Sequence, residues 1–537
     1  MDRYYRKVVL VFAGSVIAFL SVYLFAASMS RVMTSDEQMY CTGGYLLSKG
    51  QMIYRDFSYI AQLPYHPLLL GIIYKLSGMT HYLLAGRIVS VVFDIVIIVC
   101  LFSIFRKIFG QYYFAGIFAG LAGTVIFVFN PYSSYLLGLA WNHDMVLLCI
   151  VLSFRIFLEL DSIAVPATAK QINNCAKIAA IGALLTIAVW TRATTVFVIP
   201  FFIVMVIAKM RRIETETLNS AWAKAHPTKT KKLIWAFAGS VVVFSIVPVW
   251  IIVCSGRAFF VNIYTIPTLN SEMLHRLGIA YSKFYLTYRA MRNREFLFLI
   301  LFAIVVWVYV FVKRQKIVFA DKANALLAGM LVIAAFGIAY FPPTMWKQYL
   351  GIPVVFVIIS IAYAMFYLTQ INTENIRHGL TRIYTDKIAI FIFIAIAVFT
   401  AVKQKPFLKI SKIWEIEKWT PMKVHKISKN IAAKAGESKP ILTLTPLYAI
   451  EGGGEIYREL SAGAFAFRVG DKLTEQERKM THTAGLGKMR KMIEKNQPGV
   501  VVIGPELTRF EKIDSKSLVP EGWERADYSG VHCFFRP

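Results

Sequence analysis

Two acidic side chains stand side by side just beyond the first apolar run of this chain, in Thr34-Ser35-Asp36-Glu37-Gln38-Met39-Tyr40. The run before them, from Val8 to Phe25, is of membrane-spanning character, so the pair falls at a membrane surface. Carboxylates are costly to keep beside apolar surroundings, and those found there usually bind or react with something. The chemistry open to Asp36 is general-base work, the removal of a proton from an attacking hydroxyl. A further acid, Asp144, follows His143 where a later connection turns into another apolar run. Cations able to hold an anionic leaving group occur at comparable places: Arg192 between two apolar runs, and Lys347 in Trp346-Lys347-Gln348-Tyr349. Gly43, Gly44, Gly50, Tyr54-Arg55-Asp56-Phe57 and Leu63-Pro64-Tyr65-His66-Pro67-Leu68-Leu69 come soon after the acidic pair. That is a long, aromatic, partly amphipathic segment, not a plain connector.

Each of these residues also has a blander role open to it. Asp36 can cap a loop or be a solvated charge, and neighbours such as Asp36 and Glu37 do not easily face one acceptor. Asp144 suits the N-cap of the helix that follows, a role compatible with catalysis. Arg192 can snorkel, Lys347 can be a loop charge, and Trp346 and Tyr349 can be interface anchors. Arg87 can reach the same site or pair with Asp56. His143 can assist proton transfer, although a lone interfacial histidine is more often structural. The six cysteines are scattered, with no Cys-x-x-Cys and no ligand set with histidine. No metal site or cofactor is expected from these spacings, and a divalent cation stays open.

The elements that position these groups follow from composition. Of 537 residues, 57% are hydrophobic and 17% charged, a balance that fits a polytopic membrane protein rather than a soluble one. At about 1.5 Å per residue against a core of about 30 Å, apolar runs predict eleven spans. They lie near 8–28, 82–105, 112–130, 144–160, 177–190, 194–208, 233–253, 296–313, 325–341, 349–369 and 387–403. The first reads as a retained span, not a cleaved signal. Thr191-Arg192-Ala193-Thr194-Thr195 breaks the run from Lys177 to Lys209, which predicts a tight hairpin. The net charge of +28 is concentrated in loops, as the positive-inside rule requires, and calls for membrane lipid rather than nucleic acid as partner. That rule predicts a cytoplasmic N-terminus and outer connections at 29–81, 131–143, 191–193, 254–295 and 342–348. Residues 1–403 then form a membrane domain, and 404–537 an extracytoplasmic domain. Within the latter, apolar strands at 441–445 and 499–504 flank a charged helical stretch at 474–496, which argues for a small α/β fold. The loop Glu451-Gly452-Gly453-Gly454-Glu455 lacks the spacing of a phosphate fingerprint.

Several of these stretches resemble the GT-C glycosyltransferase superfamily, in particular the bacterial lipid A aminoarabinose transferases and the protein O-mannosyltransferases. The matching segments are Asp36-Glu37-Gln38-Met39-Tyr40, Gly50-Gln51-Met52-Ile53-Tyr54-Arg55-Asp56 and Pro64-Tyr65-His66-Pro67-Leu68. Ala85-Gly86-Arg87-Ile88-Val89-Ser90, Asn142-His143-Asp144-Met145, Gly182 through Arg192, and Pro342 through Tyr349 add to the likeness. It covers the membrane region. His66 stands where the aminoarabinose transferases favour lysine. The resemblance implies an inverting transferase that takes a sugar from a polyprenyl-phosphate donor at the outer face of a bacterial inner membrane. Its acceptor would be a glycolipid, a polysaccharide or a protein. It implies Asp36, Glu37 and Asp144 as catalytic candidates. The substrate contacts would come from Tyr40, Tyr54, Arg55, Asp56, His66, Arg87, His143, Arg192, Lys347, Gln348 and Tyr349.

Three other classes compete. A secondary transporter should show internal repeats and mid-membrane charges. No repeat is visible, and Asp94 and Arg155 are exceptions to charges that gather at the outer surface. A non-catalytic export component would not require Asp36. A ligase or polymerase of preassembled glycans would share the outward-facing site and is the nearest competitor.

Overall fold

Apolar stretches ended by glycine, asparagine or basic clusters set the helices of this protein, seen here in a computed structural model. It describes residues 2–160, 167–218, 229–278, 282–313, 322–377, 385–436, 440–507, 511, 517, 519 and 521–537. In chain order the first helices are α1 (Asp2–Ser30), α2 (Ser35–Ser48), α3 (Tyr65–Ser77), α4 (Tyr82–Phe109), α5 (Tyr113–Phe129), α6 (Pro131–Leu136) and α7 (His143–Phe157). Then come α8 (Ala167–Thr191), α9 (Ile199–Leu218), α10 (Lys229–Ser255), α11 (Arg257–Phe260), α12 (Ile266–Arg276), α13 (Lys283–Met291) and α14 (Arg294–Lys313). The set continues with α15 (Lys322–Tyr340), α16 (Gly351–Arg377), α17 (Thr385–Lys403), α18 (Pro406–Ile410) and α19 (Thr420–Ala435).

Each of the eleven expected spans is mostly helical, although those at 112–130, 144–160 and 325–341 run one to three residues past the ends of α5, α7 and α15. Among the described residues seven helical stretches are long and apolar enough to cross a membrane: Tyr4–Ser30, Tyr82–Phe109, Asn173–Thr191, Lys232–Ser255, Arg294–Lys313, Lys322–Tyr340 and Lys347–Ile371. The stretches Tyr113–Phe129 and Ala193–Lys209 are apolar but shorter. The last span is the hub: 94% of its apolar window is buried inside the protein. Helices α4, α5, α14, α15 and α17 pack around α16, with Ile352, Val355, Ile358, Ile359, Ala362 and Met365 inside. A helix apolar on all sides has no solvent face to present and belongs at the centre of a bundle.

The hairpin expected around Arg192 is corrected. The chain does break there, in extended conformation at Arg192, and resumes as a 3-10 turn at Ala193–Val198. The two arms do not lie along each other, however. Helix α8 packs on α7 and α10, while α9 packs on α15. Arg192 is therefore a corner between diverging helices.

The segment 29–81 folds into helices α2 and α3, which approach each other at glycine. A Cβ on Gly44 would lie 2.7 Å from Leu70 Cβ and 2.9 Å from the Tyr74 ring, and one on Gly71 would lie 2.9 Å from Leu47 Cβ. Overpacking a contact this close ordinarily costs about 1–3 kcal/mol. Gly44→Val should lower the thermal unfolding midpoint of the detergent-solubilised protein, and an unchanged midpoint would refute this packing.

The C-terminal region carries a four-stranded sheet: β1 (Ile441–Thr443), β2 (Val500–Ile503), β3 (Glu524–Tyr528) and β4 (Val531–Phe535), in the order β1-β2-β4-β3. The expected strands are β1 and β2, and they are parallel. The hairpin β3–β4 was not anticipated, because β3 is largely exposed and polar. Its signal was Ser529-Gly530, both with positive φ, the two-residue turn that matches strand twist. Four helices, α20 (Leu447–Ile450), α21 (Ala464–Gly470), α22 (Glu475–Thr481) and α23 (Leu486–Lys495), lie between β1 and β2. The single helical stretch expected at 474–496 is thus two helices. His482 takes a left-handed φ, and the backbone at Gly485 presses on Gly470 so closely that a Cβ on Gly470 would lie 2.3 Å from Gly485 N.

This region sits on the membrane helices rather than beside them. Glu451 accepts the Leu83 amide at 2.6 Å at the start of α4 and meets His425 Nδ1 at 3.1 Å. Gln38 of α2 accepts the Leu447 amide at 2.8 Å.

Candidate active site

A capping box begins helix α2. Thr34 Oγ1 accepts the Glu37 amide at 3.3 Å, and Glu37 Oε2 accepts the Thr34 amide at 3.1 Å. Consecutive helical residues point about 100° apart, so fixing Glu37 also fixes Asp36, in another direction. Glu37 turns inward and forms a two-pronged ion pair with Arg87, at 2.8 and 2.9 Å, both side chains fully buried. It also accepts the Ala140 amide at 2.9 Å, while Arg87 Nη1 donates to the carbonyls of Ser28 and Arg31. The acidic neighbours therefore divide their work: Glu37 binds α1, α2, α4 and the 131–143 connection together, and Asp36 takes no part in that network. Arg87 does not pair with Asp56, which instead bonds Arg55 at 2.9 Å.

Asp36 is half-buried. Burial pushes its carboxyl up to about 6, against the opposing pull of Arg192, with Glu37 adding to the rise and Arg468 opposing it. A carboxylate of this proton affinity is ionised at neutral pH and a stronger base than an exposed aspartate.

Arg192, whose charge opposes the rise at Asp36 most strongly, is set by a chain of contacts. Asn142 Nδ2 donates to Gln62 Oε1 at 2.6 Å and to the Thr191 carbonyl at 3.2 Å, tying three connections together beside Arg192. Arg192 Nη1 lies 2.7 Å from His143 Nδ1. Because arginine only donates, His143 accepts through Nδ1 and is neutral in this arrangement. The Arg192 guanidinium also stacks over the Tyr349 ring at 4.2 Å. Tyr40 stands within reach of the charges of Asp36 and Arg192, and its ring meets His66 edge-on at 5.2 Å. Burial pushes the His66 imidazole down to about 3, so it offers no positive charge at ordinary pH. Asp36, Tyr40, His66, His143, Arg192 and Tyr349 thus converge.

The other candidates lie elsewhere. Tyr54 is fully buried and donates to the Gln62 carbonyl at 2.6 Å, holding the loop wall. Arg55 and Asp56 pair with each other, and Asp56 Oδ2 accepts the Met52 amide at 2.7 Å. Gln348 is buried in the 3-10 turn Lys347–Leu350. Lys347 is exposed, 4.8 Å over the Tyr135 ring. Asp144 is not an N-cap; Asn142 holds that position. Both Asp144 oxygens are buried beside Asp94 of α4, with the Ser90 hydroxyl and the Gly138 backbone as polar neighbours and no hydrogen bond of ordinary geometry.

Sequence reasoning missed the capping box, although Thr34-x-x-Glu37 before an apolar run is its signature. It also missed Tyr135, close enough to feel the charge of Asp36, and Arg468 from the C-terminal region. Neither stands in a recognisable motif. Among the described residues no group of three or more His, Cys, Asp or Glu side chains is placed to hold a metal ion.

The whole chain superposes on ArnT of Cupriavidus metallidurans, an aminoarabinose transferase. The structure bound to undecaprenyl phosphate gives a TM-score of 0.55, with 13% identity over 97% of each chain. Its apo state gives 0.54 and 14% over the same shares. The apo oligosaccharyltransferase of Archaeoglobus fulgidus gives 0.50 and 11%, covering 96% of this chain and 71% of that one. No protein-family model and no curated protein sequence matches. The likeness is one of fold: this chain shares the fold of these two membrane-enzyme structures.

Proposed function

We propose that this protein is a membrane glycosyltransferase that moves a sugar from a polyprenyl-phosphate donor to an acceptor hydroxyl, with Asp36 as general base. One observation carries the reading. The carboxylate of Asp36 sits half-buried where several connections between membrane helices meet, with the Arg192 guanidinium stacked on Tyr349 beside it. In this mechanism Asp36 takes the acceptor proton as the hydroxyl oxygen bonds to the anomeric carbon. The bond from that carbon to the lipid phosphate breaks on the opposite side, and the configuration inverts. Arg192 and Tyr349 hold the departing phosphate, because donors fixed in place stabilise charge as it develops. Tyr40, His66 and His143 shape the pocket. Lys347, at the exposed edge, meets the phosphate on its way in. Asp144 with Asp94 supports the wall formed at Gly138. The acceptor is a glycolipid, a polysaccharide or a protein.

The same reading places the crevice and the α/β region, residues 404–537, outside the inner membrane, above a membrane domain of residues 1–403. The site connections 29–81, 131–143, 191–193 and 342–348 alternate along the chain, as an odd-even topology with one catalytic face requires. ArnT, which shares the fold, was solved with undecaprenyl phosphate bound, which supports a lipid-linked donor here.

The test is transfer by the purified protein in liposomes, using radiolabelled polyprenyl-phosphate monosaccharides and lipid-linked oligosaccharides as alternative donors. Transfer from the monosaccharide donors supports the reading; transfer only of preassembled glycans would replace it with the ligase reading. Because the base must be ionised, kcat/KM should fall about tenfold per pH unit below about 6 and level off above it. A profile flat from pH 5 to 8 would contradict Asp36 as the base.

A further inference from the structure

The chain does not leave the bundle directly after its last expected span. Helix α17 ends at Lys403, and α18 then packs along α1. The Phe407 ring meets Phe19 at 5.6 Å, and Lys409 Nζ donates to the Tyr23 hydroxyl at 3.1 Å. The Trp419 ring meets Phe25 edge-on at 5.3 Å. The His425 ring then stacks at 3.6 Å on His81, the residue before α4. These contacts climb α1 toward its Ser30 end and cross to the start of α4, the end of the bundle where Asp36 lies.

Two kinds of surface stay open along this path. In the lower part, Phe407, Leu408, Trp414 and Ile416 are 74%, 62%, 86% and 52% exposed. Apolar and aromatic side chains beside a membrane span face acyl chains and the interface rather than water. Higher up, α19 buries Val424, Ile431 and Ala435 in the same core as Ile441 and Val500. Its other face carries Lys423, Lys426, Lys429 and Lys434, all exposed, and the helix contains no acid. Lys434 pairs with Glu524 at 3.4 Å, whereas Lys423, Lys426 and Lys429 form no ion pair among the described residues. The positive-inside rule does not account for them. Gln38 and Glu451 tie the region to α2 and α4 beside Asp36, on the face that the topology puts outside. Lysines clustered beside a membrane span attract anionic headgroups, an attraction that fades within a Debye length.

We propose that α19 is a docking surface for anionic phospholipid, with Lys423, Lys426 and Lys429 against headgroup phosphates and the segment 407–416 among the acyl chains beneath. Because α19 packs on α20 and on strands β2 and β4, the lipid holds the C-terminal region down on the membrane helices. The inference does not rest on Asp36 as the base, and its test reads binding rather than transfer.

The experiment puts a fluorescent label at Ala433→Cys, an exposed position about two turns beyond Lys426 and so on its face. Cys175→Ser and Cys254→Ser remove the other accessible thiols of the full-length protein. The labelled protein is reconstituted in phosphatidylcholine nanodiscs with an equal small fraction of either phosphatidylglycerol or phosphatidylcholine, spin-labelled on the acyl chain close to the glycerol. Quenching by the phosphatidylglycerol probe should exceed that by the phosphatidylcholine probe about threefold. The ratio should fall to about one in Lys423→Gln/Lys426→Gln/Lys429→Gln, and in the parent at about 0.5 M sodium chloride. Lys423→Arg/Lys426→Arg/Lys429→Arg, which keeps the charge, should keep the preference. Equal quenching by the two lipids in the parent, or a ratio that the glutamine variant leaves unchanged, overturns the proposal. Absence of quenching by either lipid also overturns it, and shielding of the label by dextran sulfate would then give the face to a soluble polyanion.

Discussion

Asp36→Asn should reduce glycosyl transfer by roughly 10²–10⁴-fold, the range ordinarily supplied by a positioned general base. The substitution keeps the shape of the side chain and removes only its capacity to take a proton. The capping box uses Thr34 and Glu37, and Arg87 pairs with Glu37, so the fold does not need the Asp36 carboxylate. Folding should therefore be unaffected, with the loss appearing in kcat while donor binding stays close to wild type. Asp144→Asn offers the contrast. Asp144 is buried beside Asp94, makes no ion pair among the described residues, and an asparagine carboxamide would fill the same space. It should retain a far larger share of activity than Asp36→Asn. If the two variants lose transfer equally, the division of labour drawn here is wrong and both acids take part in proton transfer. If Asp36→Asn transfers at the wild-type rate, the base lies elsewhere.

Arg87→Leu should be the most destabilising single substitution in this part of the molecule. Arg87 is fully buried and makes four hydrogen bonds, two to Glu37 and one each to the Ser28 and Arg31 carbonyls. Its removal leaves the Glu37 carboxylate buried without a counter-charge, which ordinarily costs about 3–5 kcal/mol. It also unfastens the end of α1 from α2 and α4, so Asp36 loses its support and transfer falls along with stability. The double variant Arg87→Leu/Glu37→Leu removes both charges and should be less destabilised than the sum of the single changes. Thermal unfolding of the four proteins in the same detergent completes the cycle. Strict additivity would mean that the pair contributes no coupling and that Arg87 acts through its carbonyl contacts alone.

A good deal of this arrangement was written locally. The bilayer punishes unpaired backbone polar groups, so apolar runs of about twenty residues became helices where expected. The acidic pair past the first span, the acid after His143 and the arginine between the runs at 177–208 were legible because charges are rare in such surroundings. The strands β1 and β2 were equally plain, being short, branched and apolar.

What the chain left to its tertiary structure was the choice among chemically equivalent residues. Both Asp36 and Glu37 stood as catalytic candidates in the sequence; a capping box and a buried arginine 50 residues away separate them. Arg87 was expected to reach the site or to pair with Asp56, and instead pairs with Glu37, where α1, α2 and α4 enclose it. Arg192 and Lys347 read alike, yet one is stacked on Tyr349 beside His143 and the other lies at the rim over Tyr135. Hydropathy and helix signals act over a few residues and so can be read along the chain. Burial, charge pairing and proton affinity are set by atoms brought together from distant segments, and only the packed molecule decides them.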